Sequence, residues 1–358
     1  MSYMRTRHHI THRIYRLHSI LIGGVLGAAA LWVLVFSIGS ANAQVVTNCT
    51  GVEVTPGDDL ALVATANEPG TTYCINDGAY SVTEPIVVQD ADAFIGVYSD
   101  STRPTVTTTT AEHVFYYAAG QHDALISGLN VSGARGGDYC EPACGRGIGG
   151  PGLNLTVKNV RSHHNQNQGI GGTGPGLVIR GSELDHNGSR KFTAADAGEG
   201  EPSSAAGVKS VNSLTITGSS VHDNWWNGIW CDSYRHDLPV QNDTYFDARN
   251  NVVKDNGKIG ISDEVCTTAR IGNNRVIHNG HNPAGSTVHT GILVNGSREA
   301  RVFGNTVRRN RVYGIKLSKG GDRSSRFSAS VLDNVVSDNR INLSGCSLVE
   351  VTCKRNKT

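Results

Sequence analysis

The sequence contains 358 residues with a formal net charge of +1, 43 glycines and only 6% aromatic side chains. Without the four arginines of the first 43 residues, 28 basic side chains would stand against 31 acidic ones. This balance argues against a nucleic-acid partner, because binding to a phosphate backbone requires clustered basic charge.

The first 43 residues are predicted to form a secretory signal. Their four arginines, with no acidic residue, are followed by an apolar run from Ile20 to Ile38 and by Ala41-Asn42-Ala43. A basic start, an apolar stretch and a small-x-small cleavage site are the parts of a signal peptide. An uncleaved membrane anchor is the alternative, because the run is almost long enough to cross a bilayer. The mature chain is expected to be secreted, periplasmic or at the cell surface, away from the membrane.

Eight cysteines follow this leader, and an even count in an exported chain predicts disulfides rather than free thiols. The most local pairing joins Cys49 to Cys74, Cys140 to Cys144, Cys231 to Cys266, and Cys346 to Cys353. A zinc site is the alternative, but no Cys-x2-Cys pair with matching histidines is present.

A short pattern recurs along the chain: Asn-x-Val, a second Asn a few residues later, and then Gly-Ile. The second Asn of each unit falls at Asn165, Asn187, Asn224, Asn256, Asn279, Asn310 and Asn339. The spacings of 22 to 37 residues fit one bare coil of a solenoid, or a coil that carries a loop.

These repeats predict an all-β fold, a right-handed parallel β-helix with an N-terminal cap. One coil cannot bury its inner face alone, whereas coils stacked at ~4.8 Å bury a continuous apolar core. Gly and Asn are expected where the chain turns with positive φ. The recurring Asn is expected to stack on its neighbours and to be structural.

The predicted boundaries follow the regularity of this pattern. Residues 1–43 form the signal, 44–121 the cap and first coils, 122–341 the regular β-helix, and 342–358 a closing segment. Within the first coils, Ile86 to Val88 and Phe94 to Val97 are predicted strands.

The repeats resemble the pectate-lyase-like superfamily of secreted right-handed β-helix proteins, over roughly residues 128–341. The resemblance is carried by Gly228-Ile229-Trp230-Cys231-Asp232 on one coil and Gly260-Ile261-Ser262-Asp263-Glu264 on the next. It implies a polysaccharide lyase, a glycoside hydrolase, an epimerase or an unassigned surface protein. The polygalacturonase signature is absent, although Gly314-Ile315-Lys316 echoes its last element, and so is the Asp-Pro-His-Asp of alginate epimerases.

Alignment of the coils on Gly-Ile places Asp232 and Glu264 at the same position, three residues after each Ile. Because strand side chains alternate, both should point outward on one face with Trp230. Asn295 and Ser318 continue the carboxylate column, and Lys209 and Lys316 continue the column of Trp230.

Two carboxylates at coil spacing could act as the acid and nucleophile of a glycosidase. They could instead bind Ca²⁺ together with Asp263, since Ca²⁺ takes oxygen ligands. In the lyases of the resembled superfamily, Ca²⁺ holds a uronate and a Lys or Arg removes its C5 proton. The bases on offer here are Lys209, Lys316 and Arg235. Solvated ladder groups without a function are the remaining interpretation of the pair.

Three tryptophans lie within six residues: Trp225, Trp226 and Trp230. Exposed aromatic rings stack on sugar faces and mark binding surfaces, so these three, with Arg235 and Asn295, are predicted to bind substrate. Trp225 and Trp226 follow the corner Asn, and simple cover of the turn is the alternative for them.

The sequence therefore favours an extracellular, monomeric enzyme that cleaves glycosidic bonds of a polysaccharide or cell-wall glycan, by hydrolysis or elimination. The second hypothesis is a non-catalytic protein that binds glycans, or has a structural role, at the cell surface.

Overall fold

The computed structural model describes residues 48–100, 102–136, 145–172, 174–188, 205–233, 244–281, 288–320 and 327–358. The predicted signal, the Cys140–Cys144 pair and Arg235 lie outside these residues. No helix in the described ranges is both long enough and apolar enough to cross a membrane.

Almost all regular structure in these ranges is parallel β-strand, arranged as three sheets. Sheet I has twelve strands: β1 Val52–Val54, β2 Thr72–Asn76, β5 Ala93–Val97, β8 Leu125–Ser127, β11 Thr156–Lys158, β14 Leu177–Arg180, β17 Leu214–Thr217, β20 Tyr245–Arg249, β23 Thr268–Gly272, β26 Glu299–Phe303, β29 Ala329–Leu332 and β32 Val351–Lys354.

Sheets II and III have ten strands each. Sheet II contains β4 Ile86–Val88, β7 His113–Tyr117, β10 Arg146–Gly150, β13 Gln168–Gly172, β16 Ala206–Ser210, β19 Asn227–Asp232, β22 Ile259–Glu264, β25 Thr290–Asn295, β28 Tyr313–Ser318 and β31 Ile341–Ser344. Sheet III contains β3 Ala79–Val82, β6 Thr105–Thr108, β9 Asn130–Ser132, β12 Arg161–His163, β15 Glu183–Asp185, β18 Ser220–His222, β21 Val252–Lys254, β24 Arg275–Ile277, β27 Thr306–Arg308 and β30 Val335–Ser337.

Each strand pairs in parallel with the strand one coil later in the same sheet, as β19 does with β22 and β22 with β25. From β2 onward, successive strands in the chain belong to different sheets, so the backbone winds around one axis. This is a parallel β-helix, and the fold prediction is confirmed. The predicted strands at Ile86 and Phe94 are β4 and part of β5.

The core is a stack of inward-pointing side chains from the three sheets. In sheet II, Ile229, Ile261, Ile292 and Ile315 follow one another in register and are fully buried. Full burial of one such side chain contributes about 2 kcal/mol to folding. The Ile of each Gly-Ile is therefore the residue that ties its coil to the next.

The Gly of each Gly-Ile makes room for the neighbouring corner. A Cβ on Gly260 would lie 2.7 Å from the carbonyl oxygen of Gly291 and 2.9 Å from Nδ2 of Asn279. Those approaches are too close for any side chain, which explains why Gly accompanies the corner Asn.

The predicted Asn column is confirmed as a hydrogen-bonded ladder at the corner between sheets III and II. Nδ2 of Asn224 donates to Oδ1 of Asn256 at 2.9 Å, and Asn256 donates to Asn279 at 2.9 Å. The same bond links all seven predicted members and continues from Asn339 to Asn342. These amides satisfy one another inside the turn, so the column is structural.

Two features of the corners differ from the prediction. A second ladder, at the corner between sheets I and III, joins Asn251, Asn274, Asn305, Asn334 and Asn356. The positive-φ residue before each first-ladder Asn is not Gly or Asn but His, Asp or Arg: His164, His186, Asp223, Asp255, His278, Arg309 and Asp338. The turn histidines at 164, 186 and 278 are therefore backbone corner residues.

Disulfides join Cys49 to Cys74, Cys231 to Cys266, and Cys346 to Cys353, as predicted. In the described ranges no cysteine is free. A short helix, α1 Leu60–Ala66, begins at Asp59, whose carboxylate accepts hydrogen bonds from the backbone of Ala61 and Leu62. The predicted cap and the domain boundaries stay predictions.

Candidate functional site

The two predicted site carboxylates are stacked on adjacent coils at the ends of β19 and β22. Asp232 is in direct register with Glu264, and Asn295 and then Ser318 continue the column. Lys209, Trp230, Ser262, Leu293 and Lys316 form the neighbouring column, as the alignment predicted. Sequence register alone was sufficient to assemble this face.

Asp232 forms an ion pair with Lys209. The Lys209 ammonium lies 3.0 Å from Oδ2 of Asp232 and 3.7 Å from the centre of the Trp230 ring. Only 12% of the Lys209 side chain and 18% of the Asp232 side chain are exposed, so solvent screens this ion pair little. Lys209 is therefore occupied by its neighbours and is poorly placed to act as a base.

Glu264 is in a different environment. Its Oε2 accepts a 2.9 Å hydrogen bond from Nε1 of Trp230. Burial, and then the negative charge of Asp232, raise the pKa of Glu264, against the opposite effects of the Trp230 bond and of the Lys258 and Lys209 ammonium groups. The pair is thus asymmetric: one carboxylate is matched with a cation, and the other tends to hold a proton.

A cavity of about 240 Å³ lies beside Glu264 on sheet II. Its walls combine charged, polar and apolar groups: Lys258, Ile259, Glu264, Val288, Leu293, Asn295, Lys316 and Ser318. Of the predicted site residues, Glu264, Asn295 and Lys316 meet at this cavity. The Lys316 ammonium also lies 4.8 Å from the Tyr313 ring centre.

Asp263 is not part of this face, and its prediction as a metal ligand with Asp232 and Glu264 is wrong. It is fully buried and in register with Cys231, on the inner side of the strand. The hydroxyl of Ser297 donates to its carboxylate, and burial raises the pKa of Asp263 to about 7. Strand alternation places neighbours in sequence on opposite faces, which is why Asp263 and Glu264 cannot share an ion.

The tryptophans do not form an exposed stacking platform. Trp230 is 7% exposed and Trp226 is 2% exposed, with the Lys258 ammonium 4.3 Å from the Trp226 ring centre. The expected exposure of these rings is not observed, and a role of Trp226 and Trp230 in substrate binding stays a prediction. Trp230 instead orients Glu264 and Lys209. Trp225 is half-buried, and its role stays a prediction.

The surroundings of Asp232 and Glu264 do not favour the binding of calcium. An ammonium already lies on Asp232, and Asp263 faces the interior. The basic groups Lys209 and Lys258 act on Glu264 from nearby and would oppose a second cation. Calcium binding by Asp232 and Glu264 stays an untested prediction.

Sequence reasoning missed a second charged cluster, on sheet III. Ligand atoms of Glu183, Asp185 and His222 lie within 4.8 Å of one another. Arg161 donates twice to Asp185, at 2.9 and 2.8 Å, and Nδ1 of His186 donates to the same carboxylate at 2.8 Å. The 37 residues that separate Asp185 from His222 hide this cluster in the sequence.

Comparisons with known proteins agree on the fold. A family model described as a right handed beta helix region matches residues 204–357. No curated protein gives a significant match.

Among solved structures, the periplasmic alginate epimerase AlgG is 15% identical, over 85% of this chain and 83% of that chain, with a TM-score of 0.45. The A-module of a mannuronan C-5 epimerase from Azotobacter vinelandii is 14% identical, over 86% and 98% of the chains, with a TM-score of 0.47. Pectate lyase Pel9A is 14% identical, over 89% and 82%, with a TM-score of 0.46. At these identities and TM-scores the likenesses assign no activity to this chain.

The three stacked parallel sheets and the family match agree with the resemblance seen in the repeats. The chain is a right-handed parallel β-helix protein.

Proposed function

We propose that this protein is an exported enzyme that hydrolyses glycosidic bonds of a polysaccharide at the face of sheet II. The observation that carries the proposal is the stacking of Asp232 on Glu264 beside a cavity, with one carboxylate ion-paired and the other inclined to hold a proton. The disulfides support an oxidising compartment outside the cytoplasm.

The different surroundings of the two carboxyl groups assign their roles in hydrolysis. Glycoside hydrolysis uses one protonated carboxyl to donate to the leaving oxygen, and one carboxylate to attack the sugar or to activate water. Glu264, with its raised pKa, is the general acid. Asp232, held against the Lys209 ammonium, is the nucleophile or base. The proton passes from Glu264 to the departing oxygen as the bond between that oxygen and the anomeric carbon breaks.

Trp230 and Lys209 act as positioning residues. The indole N–H fixes one oxygen of Glu264, and the ring supports the Lys209 ammonium from below. Because both partners are mostly buried, the two carboxylates are held before substrate arrives. Such preorganisation avoids reordering charged groups during the reaction.

The cavity wall suits a sugar ring. Hydroxyl groups need hydrogen-bond partners, which Asn295, Ser318, Lys258 and Lys316 supply, while the apolar ring face can lie against Leu293 and Ile259. A small number of polar groups set in an apolar wall is the usual composition of a ligand site.

Elimination is the second candidate, because Lys316 lines the same cavity and an amine there could remove a proton next to a carboxylate. In that case the product would contain an unsaturated uronate. The non-catalytic hypothesis remains the alternative to both.

A polysaccharide panel separates the three candidates. Hydrolysis predicts new reducing ends without ultraviolet absorbance from an unsaturated uronate, and no effect of a chelator. Ultraviolet absorbance would replace hydrolysis by elimination, and its loss with a chelator would restore a role for Ca²⁺. Glycan binding without any product across the panel would overturn the enzymatic proposal.

A further inference from the structure

A stretch of the C-terminal coils contains an unusual excess of arginine. Residues 268–311 include seven arginines and a single carboxylate, Glu299. By contrast, residues 48–100 contain nine carboxylates and no Lys or Arg. The near-neutral total charge conceals two regions of opposite sign.

The arginines lie on neighbouring strands of sheets I and III. Arg270 on β23 is in direct register with Arg301 on β26. Around the corner, Arg275 begins β24 and Arg308 ends β27. Arg309 occupies the positive-φ corner that leads to sheet II. We call this set, with Arg298, the arginine stripe.

The stripe lacks internal compensation. In the described ranges, none of its six members, Arg270, Arg275, Arg298, Arg301, Arg308 and Arg309, forms an ion pair. The Nε atoms of Arg270 and Arg308 are buried and have no hydrogen-bond partner in that part of the chain. Like charges directly opposite on neighbouring strands destabilise a sheet.

Three arginines on or next to these sheets are neutralised, whereas Arg180 on β14 forms no ion pair in the described ranges. Arg161 pairs with Asp185, Arg249 with Asp247 and Arg355 with Asp333. Asp247 is in register with Arg270, but it is held by Arg249, with Nη2 at 2.6 Å. The stripe is therefore a set of arginines without ion pairs in the described ranges, with Arg270 and Arg301 stacked in register, and a ligand with repeated anionic groups would match it.

We propose that the arginine stripe is an accessory binding surface for an anionic polysaccharide, separate from the cavity on sheet II. The choice of a polysaccharide rests on the proposed function, because Arg309 brings the stripe to the edge of the sheet that carries the cavity. Single-stranded nucleic acid would need exposed aromatic rings for stacking, and in the described ranges the exposed large apolar side chains include none. A polymer bound along the stripe would be repelled by the acidic first coils and held at the C-terminal coils.

The test is binding of fluorescent polygalacturonate and heparin to the folded chain, with dextran as the neutral probe, at low and high salt. The variant Arg270→Ser/Arg301→Ser removes one stacked pair. The matched control is Arg355→Ser, an exposed arginine directly after the last strand of sheet I that is already paired. A thermal melt verifies folding, and we expect the double variant to melt no lower than wild type because a like-charge contact is lost.

We expect the double variant to bind one or both anionic probes about 30-fold more weakly with a shallower salt dependence, and the control to change by less than about 2-fold. Preference for one probe distinguishes carboxylate from sulfate chemistry. Equal losses in both variants would overturn the proposal. Equally tight, equally sensitive binding of single-stranded DNA would make the stripe a nucleic-acid surface. Self-association lost in the double variant would make it an interface with the acidic coils of a second copy.

Failure of this binding proposal can be distinguished from failure of the proposed enzymatic function. Cleavage of short fragments that reach only the cavity should be unchanged in Arg270→Ser/Arg301→Ser. If binding is lost and fragment cleavage persists, both proposals stand. If binding is lost and wild type cleaves nothing, the stripe remains and the enzymatic proposal fails.

Discussion

Two pairs of neighbouring carboxylic acids lie on different faces of this β-helix, and their surroundings have opposite effects. On sheet III, burial would raise the pKa of Asp185, but hydrogen bonds from Arg161 and His186 outweigh it and lower the pKa to about 2. On sheet II, burial and the charge of Asp232 raise the pKa of Glu264. Both clusters bring acidic groups together, along one strand in sheet III and on adjacent strands in sheet II, yet only the sheet II pair includes a carboxyl group whose pKa is raised.

The difference teaches that the proximity of two carboxyl groups does not by itself make a site. Glu183 and Asp185 are neutralised by Arg161 and by His222, whose Nε2 lies 3.2 Å from Glu183. Each carboxylate of that network therefore has a basic partner within the cluster. Glu264 has a neutral indole as its direct partner and borders a cavity. Incomplete compensation next to open space is what marks the functional candidate.

The largest expected effect comes from removing the proposed acid. Glu264→Gln should slow hydrolysis by 10²- to 10⁴-fold, because a general acid contributes about that much. Glu183→Gln is the matched control, a glutamate of the compensated cluster, and should leave the rate within about 2-fold. Initial rates on the best substrate of the panel provide the measurement. Equal rates for wild type and Glu264→Gln would remove Glu264 from the mechanism.

The next effect concerns the buried carboxyl behind the site. Burial raises the pKa of Asp263 to about 7, so between about pH 4 and pH 7 the folded state binds more protons than the unfolded state. Stability should therefore fall as pH rises through this window and be insensitive to Asp263 below it. Asp263→Asn should remove this fall, by no more than about 4 kcal/mol at pH 8. Denaturant unfolding at pH 4 and pH 8 measures it, and identical pH profiles for the two proteins would contradict the burial argument.

A smaller loss of stability is expected on sheet III. Asp185→Asn leaves the Arg161 guanidinium without its main counterion, and should cost about 2 kcal/mol because Asp185 is buried while Arg161 is partly exposed. Glu264→Gln should be neutral or stabilising, because it removes a buried, repelled charge. Thermal melts of the two variants at neutral pH compare the clusters directly. A larger loss from Glu264→Gln would reverse the comparison.

The smallest effect should come from His222. Its hydrogen bond to Glu183 raises its pKa, so its contribution to stability is complete below the unfolded pKa of about 6.5 and is lost as pH rises through the folded pKa. His222→Gln should therefore lower stability at pH 5.5 by up to about 1 kcal/mol and have less effect at pH 9. Chemical unfolding at both values checks this. A larger loss at pH 9 than at pH 5.5 would show that the imidazole acts by packing.

Residues with a fixed offset from a repeat were predictable from the sequence. The offset from Gly-Ile located Asp232, Glu264, Asn295 and Lys316 in their columns, because parallel coils transmit register from strand to strand. The alternation of side chains along a strand was harder to apply. Asp263 was misplaced although alternation dictates its inward direction.

Burial of large side chains was not predictable in the same way. Trp230 occupies an outward strand position, yet the Lys209 ammonium lies over its ring, and the Lys258 ammonium lies over the ring of Trp226. The Glu183 cluster depends on side chains from different coils that share no sequence motif. Such contacts depend on side-chain reach across the ladder, which a repeat alignment does not contain.

The central claim is that Asp232 stacked beneath Glu264 creates a proton-holding acid at the edge of the cavity. Its most direct test is an NMR titration of the Glu264 carboxyl carbon, assigned with Glu264→Gln, in wild type and in Asp232→Asn. We predict that the pKa of Glu264 lies above that of an ordinary glutamate and falls when the Asp232 charge is removed. A Glu264 that titrates at or below the ordinary value in wild type, or that does not respond to Asp232→Asn, would contradict the account.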